Sequence, residues 1–250
     1  MKKLLTVVLL LSILLPGALA QEQKTDLTYT EPYMVTLNPG SEMNIIWLTK
    51  ELCEGSVEYG LTPVMGEVAA AKQYEIKGFR TSVTPEGYDP DPAKNPELPV
   101  YQLIAKLDNL QPGQVYYYRV TTTKDGENQV GKRYFFKTAP EKGGEFQFAL
   151  LSDMQLKVKT KETVKFIGQQ ENDFILFAGD LINTPWKVSE WFNVEGTYEA
   201  PGEEDRSFFE CLFQDGDNTH LAQYMPIFYC PGNHEVDDQR VCTDKEIAQN

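Results

Sequence analysis

Three apolar runs in this chain each end in side chains able to do chemistry. Phe146 to Ser152 is followed by Asp153, with Gln155 two residues further on. Asp173 to Ala178 is closed by Gly179 and Asp180. Pro226 to Cys230 is followed by Pro231-Gly232-Asn233-His234-Glu235. Two aspartates and one asparagine offer hard oxygen donors. Two carboxylates brought together repel, and a cation between them removes that cost. Bound cations would also let an acidic protein hold an anionic phosphoester, because they supply the positive charge locally.

Such a set needs a scaffold that brings the three endings to one place. Thr160 to Gln170 reads as a helix, with Val164 and Ile167 on one face. It joins the first two apolar runs into a right-handed βαβ unit, whose strands are buried on both faces. In open α/β sheets the site lies beyond the carboxyl ends of the strands, so the three endings should converge.

Residues 30–138 have a different pattern. Asn44 to Thr49, Ser56 to Tyr59, Tyr101 to Leu107, Val115 to Thr122 and Tyr134 to Lys137 read as short strands. Leu103, Ala105 and Leu107 alternate onto one face. Strands at this spacing predict a β-sandwich. Residues 78–99 hold five of the 15 prolines and read as an exposed insertion. Pro140, Gly143 and Gly144 mark a linker between the halves. The plainest role for the first half is a passive spacer.

The chain has 23 basic and 37 acidic residues, a formal charge of −14. It lacks the basic footprint that phosphate backbones require, so no nucleic-acid binding is expected. Lys2 and Lys3, the apolar stretch Leu4 to Leu15, and Ala18-Leu19-Ala20 make residues 1–20 a signal peptide. The mature protein is then secreted or periplasmic, and no later run is long enough to span a membrane. Export permits disulfides. Cys211, Cys230 and Cys242 lie close enough in sequence for one bridge among them, and Cys53 suits a free thiol as well as a bridge.

Leu110-Gln111-Pro112-Gly113 followed by Val115-Tyr116-Tyr117-Tyr118 resembles the tyrosine corner of fibronectin type III domains, with Tyr116 at the best spacing. Ser152-Asp153-Met154-Gln155, Gly179-Asp180 and Gly232-Asn233-His234-Glu235 resemble the calcineurin-like metallophosphoesterase superfamily. Together with Trp47-Leu48-Thr49 and Val57-Glu58-Tyr59-Gly60, the chain is most similar to purple acid phosphatases. The resemblance implies a two-domain fold. An all-β fibronectin type III-like sandwich over residues 21–140 precedes the N-terminal part of an α/β metallophosphoesterase domain over 145–250. It implies a secreted metal-dependent phosphoesterase acting on phosphomonoesters.

Two divalent or mixed-valence transition metals (Fe, Zn or Mn) would carry the hydroxide that attacks phosphorus. Asp153 would bind one metal, Asp180 would bridge both, and Asn233 would bind the second. His234 would act beside the phosphate as proton donor or charge stabiliser. Gln155 stands where many relatives have His and purple acid phosphatases have Gly. It is a further candidate ligand, or an orienting group for Asp153. Asn183 stands where purple acid phosphatases carry a tyrosine ligand. Only His220 and His234 are present, and the family uses more histidines. The chain is therefore expected to be a piece of a longer protein and a weak hydrolase alone. The alternative is a non-catalytic exported binding protein with a degenerate phosphoesterase domain.

Overall fold

A computed structural model describes residues 26–79, 97–155, 160–183, 185, 188–192, 207–213 and 221–236. Residues 1–20, read above as a signal peptide, and Trp186, His220 and Cys242 lie outside the described residues.

The first half has seven strands: β1 (Tyr33–Val35), β2 (Met43–Thr49), β3 (Glu54–Gly60), β4 (Glu67–Ile76), β5 (Val100–Leu107), β6 (Val115–Lys124) and β7 (Glu127–Lys137). They run antiparallel in the order β1-β2-β5-β4-β3-β6-β7. β4 links two layers: Glu67 to Ala70 pair with β3, whereas Ala71 to Ile76 pair with β5. The layers close on Trp47, Val57, Leu103, Ala105, Leu107, Tyr118 and Phe136, all fully buried. The indole N–H of Trp47 donates to Thr122 Oγ1 at 2.9 Å, so the buried ring leaves no orphan donor. Gly55 leaves room for that ring, because a Cβ there would fall 2.5 Å from it. The Tyr116 hydroxyl accepts the Gln111 N–H at 2.9 Å, which ties the turn to the strand that follows it.

The second half holds β8 (Phe148–Leu151), α1 (Thr160–Gly168), β9 (Phe174–Ala178), α2 (Val188–Trp191), α3 (Phe208–Leu212) and β10 (Ile227–Cys230). Its three strands are parallel in the order β10-β9-β8. α3 starts on a capping box: Ser207 Oγ accepts the Glu210 N–H, and the Glu210 carboxylate accepts the Ser207 N–H.

The first half is more than a spacer. β2 turns Ile45 and Trp47 into the sandwich and Ile46 and Leu48 out of it. The outward pair shares one core with Ile175, Phe177, Phe192 and Phe208 of the second half. Tyr29 stacks on Phe192 with ring centres 4.8 Å apart, and Tyr33 lies 5.3 Å from Phe209. The stretch from 78 to 99 is also anchored at its base. Leu98 N–H donates to Phe79 O at 2.9 Å, and the Phe79 ring packs edge-on against Trp191 and Phe192.

Cys53 and Cys230 are free thiols, so Cys211 and Cys230 are not joined.

The buried Tyr118 hydroxyl donates to the Gln223 carbonyl across the junction at 2.7 Å. Tyr118→Phe strands that acceptor and should cost about 1–2 kcal/mol, read as a lower midpoint in denaturant. An unchanged midpoint would mean that water replaces the bond at no cost.

Candidate metal centre

The register of the parallel sheet sets the three strand ends side by side. Leu151 pairs with Phe177, and Ala178 with Cys230. Beyond those pairs the first two ends stay in contact: Asp153 N–H donates to Gly179 O and Gln155 N–H to Asp180 O, both at 3.1 Å. Asp153, Gln155 and Asp180 have φ of 52°, 40° and 53°. Left-handed backbone is costly for residues with a Cβ, and Asp is among those that bear it best. Three such residues at adjacent strand ends mark a site where strain is tolerated for the direction it gives the chain. Below them, Met154 is buried and its carbonyl accepts the Thr160 hydroxyl at 3.0 Å, fixing the loop to the start of α1.

Two glycines let the second and third ends touch. A Cβ on Gly179, whose φ is 84°, would fall 2.7 Å from Gly232 Cα. A Cβ on Gly232 would fall 2.1 Å from Asp180 Oδ1. Only side chains of hydrogen fit at either position.

Glu235 locks this contact. Its carboxylate accepts the N–H groups of Asp180 at 2.8 Å, Leu181 at 2.7 Å and Gly232 at 2.8 Å, with Ile182 at 3.4 Å. One anion thus gathers donors from two loops. Burial pushes the Tyr229 phenol well up, and the neighbouring Glu235 charge adds to this. Sequence reasoning had placed Glu235 in a motif without a role. Its donors lie up to 55 residues away, so no local pattern reveals it.

His234 is held twice. Its backbone N–H donates to Asp180 Oδ1 at 3.1 Å, and its Nδ1 lies 2.9 Å from the carbonyl oxygen of Asn183. A carbonyl only accepts, so Nδ1 carries the proton and Nε2 is left for other partners. Asn183 makes two further bonds. Its Nδ2 donates to Gln155 O at 3.0 Å, and its backbone N–H donates to Glu190 Oε2 at 2.6 Å. Sequence reasoning noted Asn183 only as a departure from tyrosine and passed over Glu190.

Asp180 and His234 are therefore in direct contact, with Asn233 between His234 and Gly232 on the same loop. Asp153 and Gln155 join them through backbone bonds to Gly179 and Asp180. Asp153 and Asn233 are exposed, whereas Gln155, Asp180 and His234 are half-buried. Ser152 Oγ donates to Asp153 Oδ2 at 2.8 Å. The donors fit hard or borderline cations in type: two carboxylates and an amide oxygen at three adjacent strand ends. Among the described residues no three His, Cys, Asp or Glu side chains gather into a metal-holding group. The third donor, Asn233, is an amide, and the His234 Nδ1 is committed to a carbonyl. A cavity of about 540 Å³ lies elsewhere, among Pro39, Pro140, Phe146, Phe174, Pro226 and Phe228 at the amino-terminal side of the sheet. Its walls are mainly apolar, with Lys137, Glu141, Lys142 and Asp173 also lining it, and carry none of the candidate ligands.

Residues 31–138 match the family described as the N-terminal domain of purple acid phosphatase, and residues 146–248 match the calcineurin-like phosphoesterase family. Among solved structures, a purple acid phosphatase isolated from yellow lupin (Lupinus luteus) seeds is similar with a TM-score of 0.57 and 19% identity, covering 82% of this chain and 35% of its own. This chain thus spans about a third of the length of the lupin protein, and the likeness is one of fold. The sensor domain of the anti-sigma factor RsgI4 in Pseudobacteroides cellulosolvens aligns at a TM-score of 0.26 and 15% identity, over 46% of this chain and 95% of its own. A comparison with curated proteins gives no match.

Proposed function

We propose that this chain, which belongs to the calcineurin-like phosphoesterases and carries the N-terminal domain of purple acid phosphatases ahead of the phosphoesterase domain, is a metal-dependent hydrolase of phosphomonoesters. The observation that carries the reading is the interlock of strand ends. Glu235 draws the Asp180 and Gly232 loops together, and Asp180 Oδ1 seats the backbone of His234.

Asp153, Asp180, Asn233 and Gln155 are the groups that would hold two divalent or mixed-valence transition metals such as Fe, Zn or Mn. When bound, such a pair supplies Lewis acidity toward phosphate oxygens and lowers the pKa of water. His234 spends Nδ1–H on the Asn183 carbonyl. Its Nε2, once protonated, is the atom that would pass a proton to the leaving oxygen or meet charge on the phosphate. Gly179 and Gly232 keep Asp180 close to the third strand end, so donors and proton carrier stay within one loop cluster.

The proposed division is a sandwich over 21–140 and a phosphoesterase portion over 145–250, exported after removal of residues 1–20. No helix among the described residues is long and apolar enough to cross a membrane.

The test is calorimetric titration of the chain with Mn²⁺ or Zn²⁺, then with orthophosphate. Cation binding is expected first, and phosphate binding only after it. No cation binding, or phosphate binding that ignores a chelator, would overturn the reading. Cation binding without any phosphate binding would favour the non-catalytic alternative. Hydrolysis of 4-nitrophenyl phosphate by these 250 residues alone should be slow. Rapid metal-dependent turnover would sink the argument from the missing histidines.

A further inference from the structure

We infer that Glu190 is a positioning residue, whose buried carboxylate fixes the loop after β9 so that one backbone carbonyl of that loop sets the ring of His234. The inference rests on the proposed role of His234 and extends it to a residue of α2, seven positions after Asn183.

Glu190 is only 3% exposed. Burying a carboxylate is unfavourable unless hydrogen bonds replace its water. Here it accepts the Asn183 N–H at 2.6 Å, a charge-assisted bond of the stronger kind. Its own support is firm. α2 is short, but Val188 is fully buried beside it, Phe192 N–H closes back to Val188 O at 3.0 Å, and the Trp191 indole N–H donates to Pro185 O at 2.8 Å.

Asn183 is thereby held in three directions. Its N–H goes to Glu190, its Nδ2 to the Gln155 carbonyl, and its carbonyl to His234 Nδ1. With N–H and side chain pinned, the carbonyl has one direction left, and it selects the Nδ1–H form of the imidazole. A carboxylate acting on the ring only through this backbone would govern which nitrogen of His234 faces the site.

The chain has two histidines, so their ring nitrogens can be resolved by ¹H–¹⁵N NMR at about pH 9, where an imidazole is neutral. The wild-type His234 should be Nδ1–H. Glu190→Met keeps the buried volume and removes both acceptor oxygens. It should lower the ratio of Nδ1–H to Nε2–H by at least about 5-fold, the worth of one net hydrogen bond. Glu190→Gln keeps an acceptor oxygen and should restore the ratio to within about 2-fold. Leu212→Ala opens a cavity in the same core and should leave the ratio unchanged, although it lowers stability.

A wild-type Nε2–H form overturns the proposal, and this holds even if Glu190→Met does not fold. An unchanged ratio in folded Glu190→Met, or an equal shift in Leu212→Ala, does the same. The readout needs no substrate. If the tautomers respond as expected but phosphate never binds, positioning stands and the phosphoesterase reading falls. If phosphate binds and the tautomers do not respond, the reverse holds.

Discussion

Glu235→Ala should lower the unfolding free energy by about 2–4 kcal/mol, seen as a fall of roughly 5–15 °C in melting temperature for a chain of this size. The carboxylate accepts three backbone N–H groups at 2.7–2.8 Å, from Asp180, Leu181 and Gly232. Each donor left without a partner costs about 1–3 kcal/mol when water cannot reach it. Glu235 is half-buried, so water will satisfy part of the set, and the full sum will not appear. Glu235→Gln should fall between the two. It keeps one acceptor oxygen but turns an amide N–H toward donors. Glu141→Ala, on the exposed linker, should stay within about 0.5 kcal/mol of wild type. If Glu235→Ala melts with wild type, the strand ends are held by the sheet alone and the carboxylate is incidental.

How much of this was legible in the sequence differs from feature to feature. The strand ends were legible because each joins an apolar run to a polar residue. That is a local pattern, and the parallel register then places Asp153 beside Gly179 and Asp180 beside Gly232. The β5 face was legible for a similar reason, since Leu103, Ala105 and Leu107 alternate and are all fully buried. β4 was missed. Its residues Lys72, Tyr74 and Glu75 are exposed, and the positions that alternate inward, Ala69, Ala71 and Gln73, are small or polar, so the strand shows no large apolar face.

The junction between the halves did leave a signal that the spacer reading passed over. Ile45, Ile46, Trp47 and Leu48 are apolar at every position, as a strand covered on both faces must be. Glu235, Asn183 and Glu190 are the harder class. Their importance lies in backbone groups that they reach across turns and between strand ends. A side chain that serves distant N–H and C=O groups gives no periodicity to read. The Cys211–Cys230 pairing failed on geometry of the same kind: Cys211 is buried in α3 while Cys230 is exposed at the end of β10, and Cys242 lies outside the described residues.

Asp180→Asn separates a ligand from a turn residue. Without cations the variant should unfold within about 1 kcal/mol of wild type. Asn bears left-handed backbone about as well as Asp, and its amide oxygen can still accept the His234 N–H that Asp180 Oδ1 accepts at 3.1 Å. It also removes one negative charge from loops shared with Asp153 and Glu235, in a chain whose net charge is −14. With cations the two proteins should diverge. A ligand at 100 times its dissociation constant stabilises the folded state by about 2.7 kcal/mol. That is a rise of roughly 5–11 °C in melting temperature at this chain length. If Asp180 is a ligand, a neutral amide in place of its carboxylate should weaken binding by at least about 100-fold, beyond the loss usual for groups that only support a ligand. At the same cation concentration its gain then falls to about 0.4 kcal/mol. Melting both proteins in EDTA and in Mn²⁺ or Zn²⁺ reads all four values. Equal cation-induced rises would remove Asp180 from the ligand set. Collapse of the variant in EDTA would make it a structural turn residue, and the candidate centre would lose its central donor.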